Sequence, residues 1–438
     1  MFPVLIRPAA WTLAVLLSAS PAAAQSEPAA PTADAAQVTV TGTAQQPDDA
    51  QKAADDLAEI KRQLDILAAE VERLRSGEAD APPLSPEEQR RLGLAPAAAS
   101  AYRKPSGVSF AGYGEMLYEN ADGRTPRIDF LRAILYTGYR FNDRFIFNSE
   151  LEVEHATEIF VEFAYVDFKV RDDLTLRGGL VLVPLGLVNE FHEPTVFVGA
   201  RRPETEQRII PSTWRENGVG VLGSRGRVSY RAFLVNGLKG SGFTAAGLRG
   251  GRQKGAQALA ADWAAAGRLD VDVSPGVFAG VGLYRGGSGQ DQVGSASVPT
   301  TIVEVHGQAQ VRGVDVRGLF ARATLDDVAA LNRALGLTGA RSVGDALQGG
   351  YLQLGYNLLS QVSAATALTP YYRLERINTQ SSVPSGFLAD PAQNQTLHTF
   401  GVEVKPIPQI VLKADYQKVS NRAGTGRNQF NINLGYVF

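Results

Sequence analysis

Taken at every second position, the stretch Gln429 to Phe438 separates into two faces. Phe430, Ile432, Leu434, Tyr436 and Phe438 fall on one; Gln429, Asn431, Asn433 and Gly435 fall on the other, with Val437 the one apolar intruder. A period of two is the mark of a strand that is apolar on one side and polar on the other. The pattern recurs upstream. In TTIVEVHGQAQVRG, Glu304, His306, Gln308 and Gln310 oppose Val303, Val305, Ala309 and Val311, and in RFIFNSELEVEHA, Asn148, Glu150, Glu152 and Glu154 oppose Phe145, Phe147, Leu151 and Val153. Sixteen strands are predicted this way, near 106–119, 126–141, 144–155, 159–171, 174–187, 214–224, 227–236 and 264–274, then 276–286, 300–312, 313–323, 347–359, 363–378, 396–406, 408–420 and 428–438.

The connections between them are sorted by length. Every second one is tight: Asn142-Asp143, Asp172-Asp173, Ser224-Arg225-Gly226, Pro275, Arg312-Gly313, Ser360-Gln361 and Ile407. The alternate ones, at 120–125, 188–213, 237–263, 287–299, 324–346, 379–395 and 421–427, are mostly longer, and only 156–158 breaks the trend. Short turns on one rim and long loops on the other characterise outer-membrane barrels; a soluble sandwich has no reason to sort its loops. The predicted fold is therefore all-β, a transmembrane sixteen-stranded antiparallel β-barrel with its apolar face outward in lipid and its polar face inward on water. The last strand must pair with the first, because an open edge in lipid strands its backbone groups. Tyr436 and Phe438 then fall in an aromatic girdle.

The chain before residue 106 patterns differently. Residues 1–24 hold Arg7, an apolar run from Ala9 to Leu17 and Ala22-Ala23-Ala24, the layout of a cleaved secretory signal. Residues 25–56 have little that could pack and are expected to be a mobile periplasmic lead-in, QVTVTGT included. Leu57, Ile60, Leu64, Leu67, Val71 and Leu74 follow at heptad spacing, predicting a short helix over 57–76 that pairs with copies of itself or lies on its own domain. Residues 77–105, punctuated by Pro82, Pro83, Pro86, Pro96 and Pro105, are expected to be a linker.

Composition narrows the chemistry. With no cysteine, neither disulfides nor thiolate metal sites can form. The net charge of -2 leaves no basic surface for nucleic acid. His155, His192, His306 and His398 are scattered without a metal-binding spacing, so no metal, cofactor or catalytic site is predicted, although His155 beside Glu154 and His192 between two acids have ligating neighbours. Ser212 and Ser229 have no histidine at a telling distance in sequence. GSGFTAAGLRGGRQKG (240–255) reads as a flexible external loop, and LDDVAALNRALGL (325–337) as a helix capping one.

Charged residues at inward-facing positions are the candidate pore wall: Glu150, Glu152, Glu154, Asp167, Lys169, Arg177, Arg231, Glu304, Arg317, Arg373, Glu403, Lys413 and Asp415. On the heptad segment, ELEVEHA, the stretch from Ala164 to Pro194 and IIPSTWRENGVGVLG, the chain resembles Gram-negative porins, and more narrowly the phosphate-selective porin family with an N-terminal coiled coil. That resemblance implies a homotrimer of sixteen-stranded barrels, a terminal aromatic strand read by the barrel-assembly machinery, and a third external loop folded into the pore. The third long connection is 189–217, and its charges Glu190, His192, Glu193, Arg201, Arg202, Glu204, Glu206 and Arg208 are the candidate constriction; the rival reading is a solvated loop against a neighbouring subunit. Carboxylates mixed among the arginines do not favour phosphate specificity. The function expected is passive diffusion of small hydrophilic solutes or ions across the outer membrane, amid lipid and lipopolysaccharide. The rivals are an outer-membrane barrel hydrolase and a structural tether with a plugged barrel.

Overall fold

The computed structural model describes residues 58, 60–65, 68, 83–294, 296–363 and 365–438. The predicted signal, the lead-in and the seam positions Leu57, Leu67, Val71 and Leu74 lie outside these. The chain divides into two units, Met1–Glu78 and Ala79–Phe438. In the first, residues 60–65 are helical, with Ile60 and Leu64 exposed.

The second unit is a closed antiparallel barrel in which each strand pairs with its neighbours in chain order and the last returns to the first. Its strands are β1 (Gly107–Ala121), β2 (Arg127–Arg140), β3 (Phe145–Glu154), β4 (Glu158–Arg171), β5 (Leu174–Leu182), β6 (Arg215–Arg225), β7 (Val228–Asn236) and β8 (Trp263–Ser274). The circuit continues with β9 (Val277–Gly286), β10 (Thr300–Val311), β11 (Val314–Leu325), β12 (Ala346–Tyr356), β13 (Ala367–Ser382), β14 (Asn394–Ile407), β15 (Ile410–Asn421) and β16 (Gln429–Val437). All sixteen predicted strands are present. Closure runs through Gly114 opposite Tyr436 and Tyr118 opposite Ile432, and Gly112 and Phe438 exchange backbone hydrogen bonds of 2.8 and 2.9 Å.

Faces follow the alternation. On β10, Val303, Val305 and Val311 are exposed, whereas Glu304 and His306 are buried; on β16, Ile432 is exposed and Asn431 and Asn433 are fully buried. The greasy exterior suits lipid, and each strand is hydrogen-bonded to both of its neighbours around the ring. Two boundaries differ from expectation. β5 stops at Leu182, because the next residues turn inward, and β12 and β13 are joined by residues 357–366 rather than a two-residue turn. In that longer connection the Asn357 side chain accepts from the Leu359 and Leu368 amides.

The interior is filled, and this corrects the expected linker. Residues 83–105 fold against the inner wall at the rim of short turns. Ser85 and Glu88 form a reciprocal capping box, Pro86 opens helix α1 (Pro86–Leu92), and Gly93 closes it at φ +64°. A 3-10 turn at Ala98–Tyr102 follows, with Ala98, Ala99 and Ala101 buried. The prolines here punctuate folded turns; the alanines supply side chains small enough to lie against strands. From the opposite rim, the β5–β6 connection (183–214, loop L3) enters with helix α2 (Glu204–Arg208). The β7–β8 connection (237–262, loop L4) lies over it, with Phe243 and Leu248 buried. L4 is therefore not the flexible loop expected from its glycines. They permit close backbone packing, since a Cβ at Gly242 would collide with Gly250 O. Helix α3 (Val328–Ala334) caps the loop rim as predicted and buries Val328 and Leu331.

Candidate functional site

L3 is held across the barrel by wall side chains bonding to its backbone. Lys405 donates to Thr195 O at 2.8 Å, Arg317 to Val196 O at 2.9 Å and Lys413 to Phe197 O at 2.7 Å. Arg268 donates to Gly186 O, and Arg373 to Arg201 O at 3.3 Å. Carboxylates complete the set. Asp415 accepts from the Ala200 amide at 2.8 Å, and Glu375 accepts from Glu204 N at 3.0 Å and Thr205 N at 2.6 Å, capping the N-terminus of α2. The loop buries Val183, Leu185, Ile209, Ile210 and Trp214 against the interior, and charge-assisted bonds from the wall fix the rest of its course.

This changes the role of the predicted pore-wall residues. Glu304, Arg317, Arg373, Lys413 and Asp415 face inward, as expected, but they are buried under L3 instead of lining open water. Glu304 also accepts from Gly186 N at 3.3 Å and bonds His306, whose other ring nitrogen lies 2.8 Å from Asp270. Glu403 pairs with Lys405 at 3.2 Å. Asp167, Arg177 and Arg231 are likewise covered, by residues 83–105: Tyr102 donates to Asp167, Arg177 donates to Leu92 O at 3.4 Å, and Arg231 to Arg90 O. Glu150 accepts from Tyr113 at 2.6 Å; Glu152 lies 3.4 Å from Arg132. Glu154 is half-buried, and Lys169 sits at the turn rim, 2.8 Å from Asp172.

The predicted constriction residues divide in two. Glu190, His192, Glu193 and Glu206 are buried. Glu190 lies 3.4 Å from Arg231, and His192 contacts Asn189 O at 2.8 Å and Glu150 at 3.5 Å. Glu193 accepts from Ala97 N at 2.8 Å, and Glu206 from Val188 N at 2.7 Å and Tyr351 at 2.5 Å. These four bond within the protein and help to fix the loop. Arg201, Arg202, Glu204 and Arg208 are half-exposed, and Arg201 pairs with Glu119 at 3.2 Å.

Where L4 meets L3, a cluster of cations lies within reach of Glu154. Arg202, Arg249, Arg252 and Lys254 enter no ion pair among the described residues; Arg249 and Arg252 donate to the backbone carbonyls of Ser212 and Thr213. Burial, then repulsion from Arg252 and Arg202, pushes the Arg249 guanidinium down to about 9. Burial likewise takes Arg252 down to about 10, with Glu162 opposing and Arg215 and Arg202 reinforcing. Both stay charged at neutral pH. The nearby carboxylates belong to the wall: Glu162 lies 2.7 Å from Arg215, and Arg132 spans Glu115 and Glu152. At the turn rim, a cavity of about 510 Å³ separates α1 from L3, bordered by Arg90, Arg268, Arg317, Asp315, Glu403 and Lys405.

Several of these residues were not singled out from sequence. Glu162 sits at a β3–β4 register shift, where the alternation changes phase so that both Glu162 and Phe163 point inward; that phase change is visible in EIFVEFAYVDF. Arg249 and Arg252 were hidden in a segment read as flexible, and Arg90 and Tyr102 in one read as linker. Ser212, buried, donates to Glu206 O rather than facing an imidazole. Among the described residues no three His, Asp or Glu are grouped to hold a metal ion.

No family model matches the chain. It is 36% identical over 364 residues to an uncharacterized protein of Aquifex aeolicus (strain VF5), across 79% of this chain and 83% of that one. Solved outer-membrane barrels share its fold. Salmonella typhi OmpF, in complex with daunomycin, aligns at TM-score 0.52 and 10% identity, over 76% of this chain and 98% of that one. An anion-selective porin from Comamonas acidovorans aligns at 0.50 and 13%, and a loop L8 deletion mutant of OmpT, an outer membrane protein of Vibrio cholerae, at 0.50 and 14%; each covers 76% of this chain and 100% of the neighbour. At these identities the likeness is one of fold: a porin-type outer-membrane barrel.

Proposed function

The chain belongs to the same family as the Aquifex aeolicus protein, and from its barrel we infer that it is an outer-membrane channel for passive diffusion of small hydrophilic solutes, not an enzyme. One observation carries this reading: a closed barrel, apolar outside and charged inside, is crossed by L3, whose buried carboxylates bond within the protein, while Arg202 of L3 and Arg249, Arg252 and Lys254 of L4 enter no ion pair among the described residues. Rings of unpaired cations attract anions and repel cations at a narrow passage. Small anions are therefore the favoured solutes, entering past Arg202, Arg249, Arg252 and Lys254. Because carboxylates are interleaved with the arginines along the wall, nothing favours phosphate over other small anions.

In this reading the long loops face outward and the short turns face the periplasm, where the N-terminal arm lies. Removal of residues 1–24, trimerisation through the heptad seam at 57–74 and recognition of Tyr436 and Phe438 by the assembly machinery belong to the same proposal. The heptad spacing supports the second, and the exposed Phe438 at the barrel seam the third. Proteoliposome swelling tests the function. Vesicles carrying the folded full chain should swell in isosmotic solutions of small sugars, more slowly as the sugar grows. Swelling independent of solute size, or absent even with residues 83–105 displaced, would overturn the reading.

A further inference from the structure

The inner wall of β2–β5 at the turn rim is polar. Tyr136, Asn148, Asp167 and Arg177 point into it, as does Arg231 of β7. Yet the segment lying on this polar surface is APAAASAY, whose buried side chains are mostly alanines. Leu94 is buried and Leu84, Leu92 and Tyr102 pack against the core, but across 95–101 alanine methyls bring little apolar area out of water, and hydrophobic burial holds that stretch weakly. What holds it is polar and reaches mainly its backbone. Tyr136 and Asn148 donate to Ala98 O at 2.6 and 3.3 Å, Arg140 to Lys104 O at 3.2 Å, and Glu193 accepts from Ala97 N. At the other end of the segment, Arg90 and Arg91 both pair with Asp272 where β8 reaches the rim.

These are bonds that water can replace one for one. Docking also leaves Ser100 Oγ, Asn148 Oδ1 and Glu193 Oε2 buried without a hydrogen-bond partner in the protein, a cost that hydration would remove. The segment thus combines weak apolar packing, exchangeable polar anchors and incompletely satisfied buried groups. It also borders the turn-rim cavity through Pro86, Glu87, Gln89, Arg90 and Pro96. L3 differs: it is tied from both sides of the barrel and packs Ile209, Ile210 and Trp214 into the interior.

We propose that residues 83–105 are a lumenal plug that holds the periplasmic half of the channel in a low-conductance state, and that conduction rises when the plug undocks. The proposal rests on the channel reading above. Undocking needs no strand to move, because the segment joins the barrel only at Gly107, where β1 begins at φ +84°.

The test uses the full chain in planar bilayers, in two variants whose folding is checked by resistance of the barrel to denaturation in detergent. The first is Ala101→Trp. Ala101 is completely buried against Gly138 of β2, where even an added Cβ would collide with it, so a tryptophan forces the segment off the wall. The second, in a chain that otherwise has no cysteine, is Ala101→Cys with Gly138→Cys. A Cβ at Gly138 would stand only 2.3 Å from that of residue 101, so the cysteines displace the segment outward until a disulfide, with its Cβ atoms about 3.8 Å apart, tethers it beside the wall. Ala101→Trp should conduct severalfold more than the native chain, and the double cysteine should conduct severalfold less when oxidised than after reduction. Equal conductance in the native, tryptophan, oxidised and reduced proteins would overturn the plug while leaving the channel standing. Silence from all of them, once folded, would overturn the channel and the plug together.

Discussion

Glu193 sits where L3 meets the docked N-terminal segment, and its titration reports on that contact. Burial, its largest influence, raises the carboxyl from its ordinary 4.5 to about 8; the Ala97 amide opposes this and Glu150 adds to it. His192 is its chain neighbour, and Arg177 and Glu190 line the same small cleft. Docked, the group keeps its proton at neutral pH; undocked and hydrated, it loses it. The docked state therefore binds one more proton between pH 4.5 and about 8. Docking is strongest below that window, weakens by up to about 1.4 kcal/mol per pH unit through it, and is level above it. Conductance of the native chain should accordingly rise between pH 5 and 8. Glu193→Gln should flatten the profile, and an unchanged slope in that variant would show that this carboxyl does not control docking. Glu193 was legible as a charged residue of the third loop, but its partner was not: nothing in the sequence links it to the amide of Ala97.

L3 shows why strands could be read from the chain and what fills the barrel could not. A strand facing lipid must alternate along its whole length, so β10 and β16 announce themselves residue by residue. L3 obeys no period, because its position comes from wall side chains bonding to its backbone, and backbone groups are the same in every sequence. The charges that do the holding were visible as inward-facing residues; that they hold a loop rather than line water depends on pairs such as Lys413 with Phe197 O, 216 residues apart. The same limit hid the plug, since proline punctuation marks a folded cap as readily as a spacer. Glu375 tests the loop's anchoring directly. Glu375→Ala removes the acceptor shared by Glu204 N and Thr205 N and should cost the loop about 2 kcal/mol of anchoring. Single-channel records of that variant should show added open-state noise while the barrel keeps its thermal stability. Quiet native-like records would mean that L3 is held without this cap.

For the molecule as a whole, the barrel divides its labour between two surfaces and two rims. The apolar exterior and the β1–β16 seam make it a membrane object; the wall charges, mostly consumed in holding L3 and the N-terminal segment, make the interior a scaffold. Among the described residues, charges of both signs at the loop rim enter no ion pair, and Arg202, Arg249, Arg252 and Lys254 are the cations clustered where L3 meets L4. Loop-length asymmetry made the barrel fold readable, whereas this cluster of cations emerged only once the residues of L3 and L4 had been matched to their partners. The most direct test is the reversal potential of single channels in a salt gradient, measured on the native full chain beside Arg249→Glu/Arg252→Glu. The native channel should prefer anions, and the double substitution should shift the potential toward cation preference with the barrel intact. A native channel that prefers cations, or a potential indifferent to the two substitutions, would contradict the account.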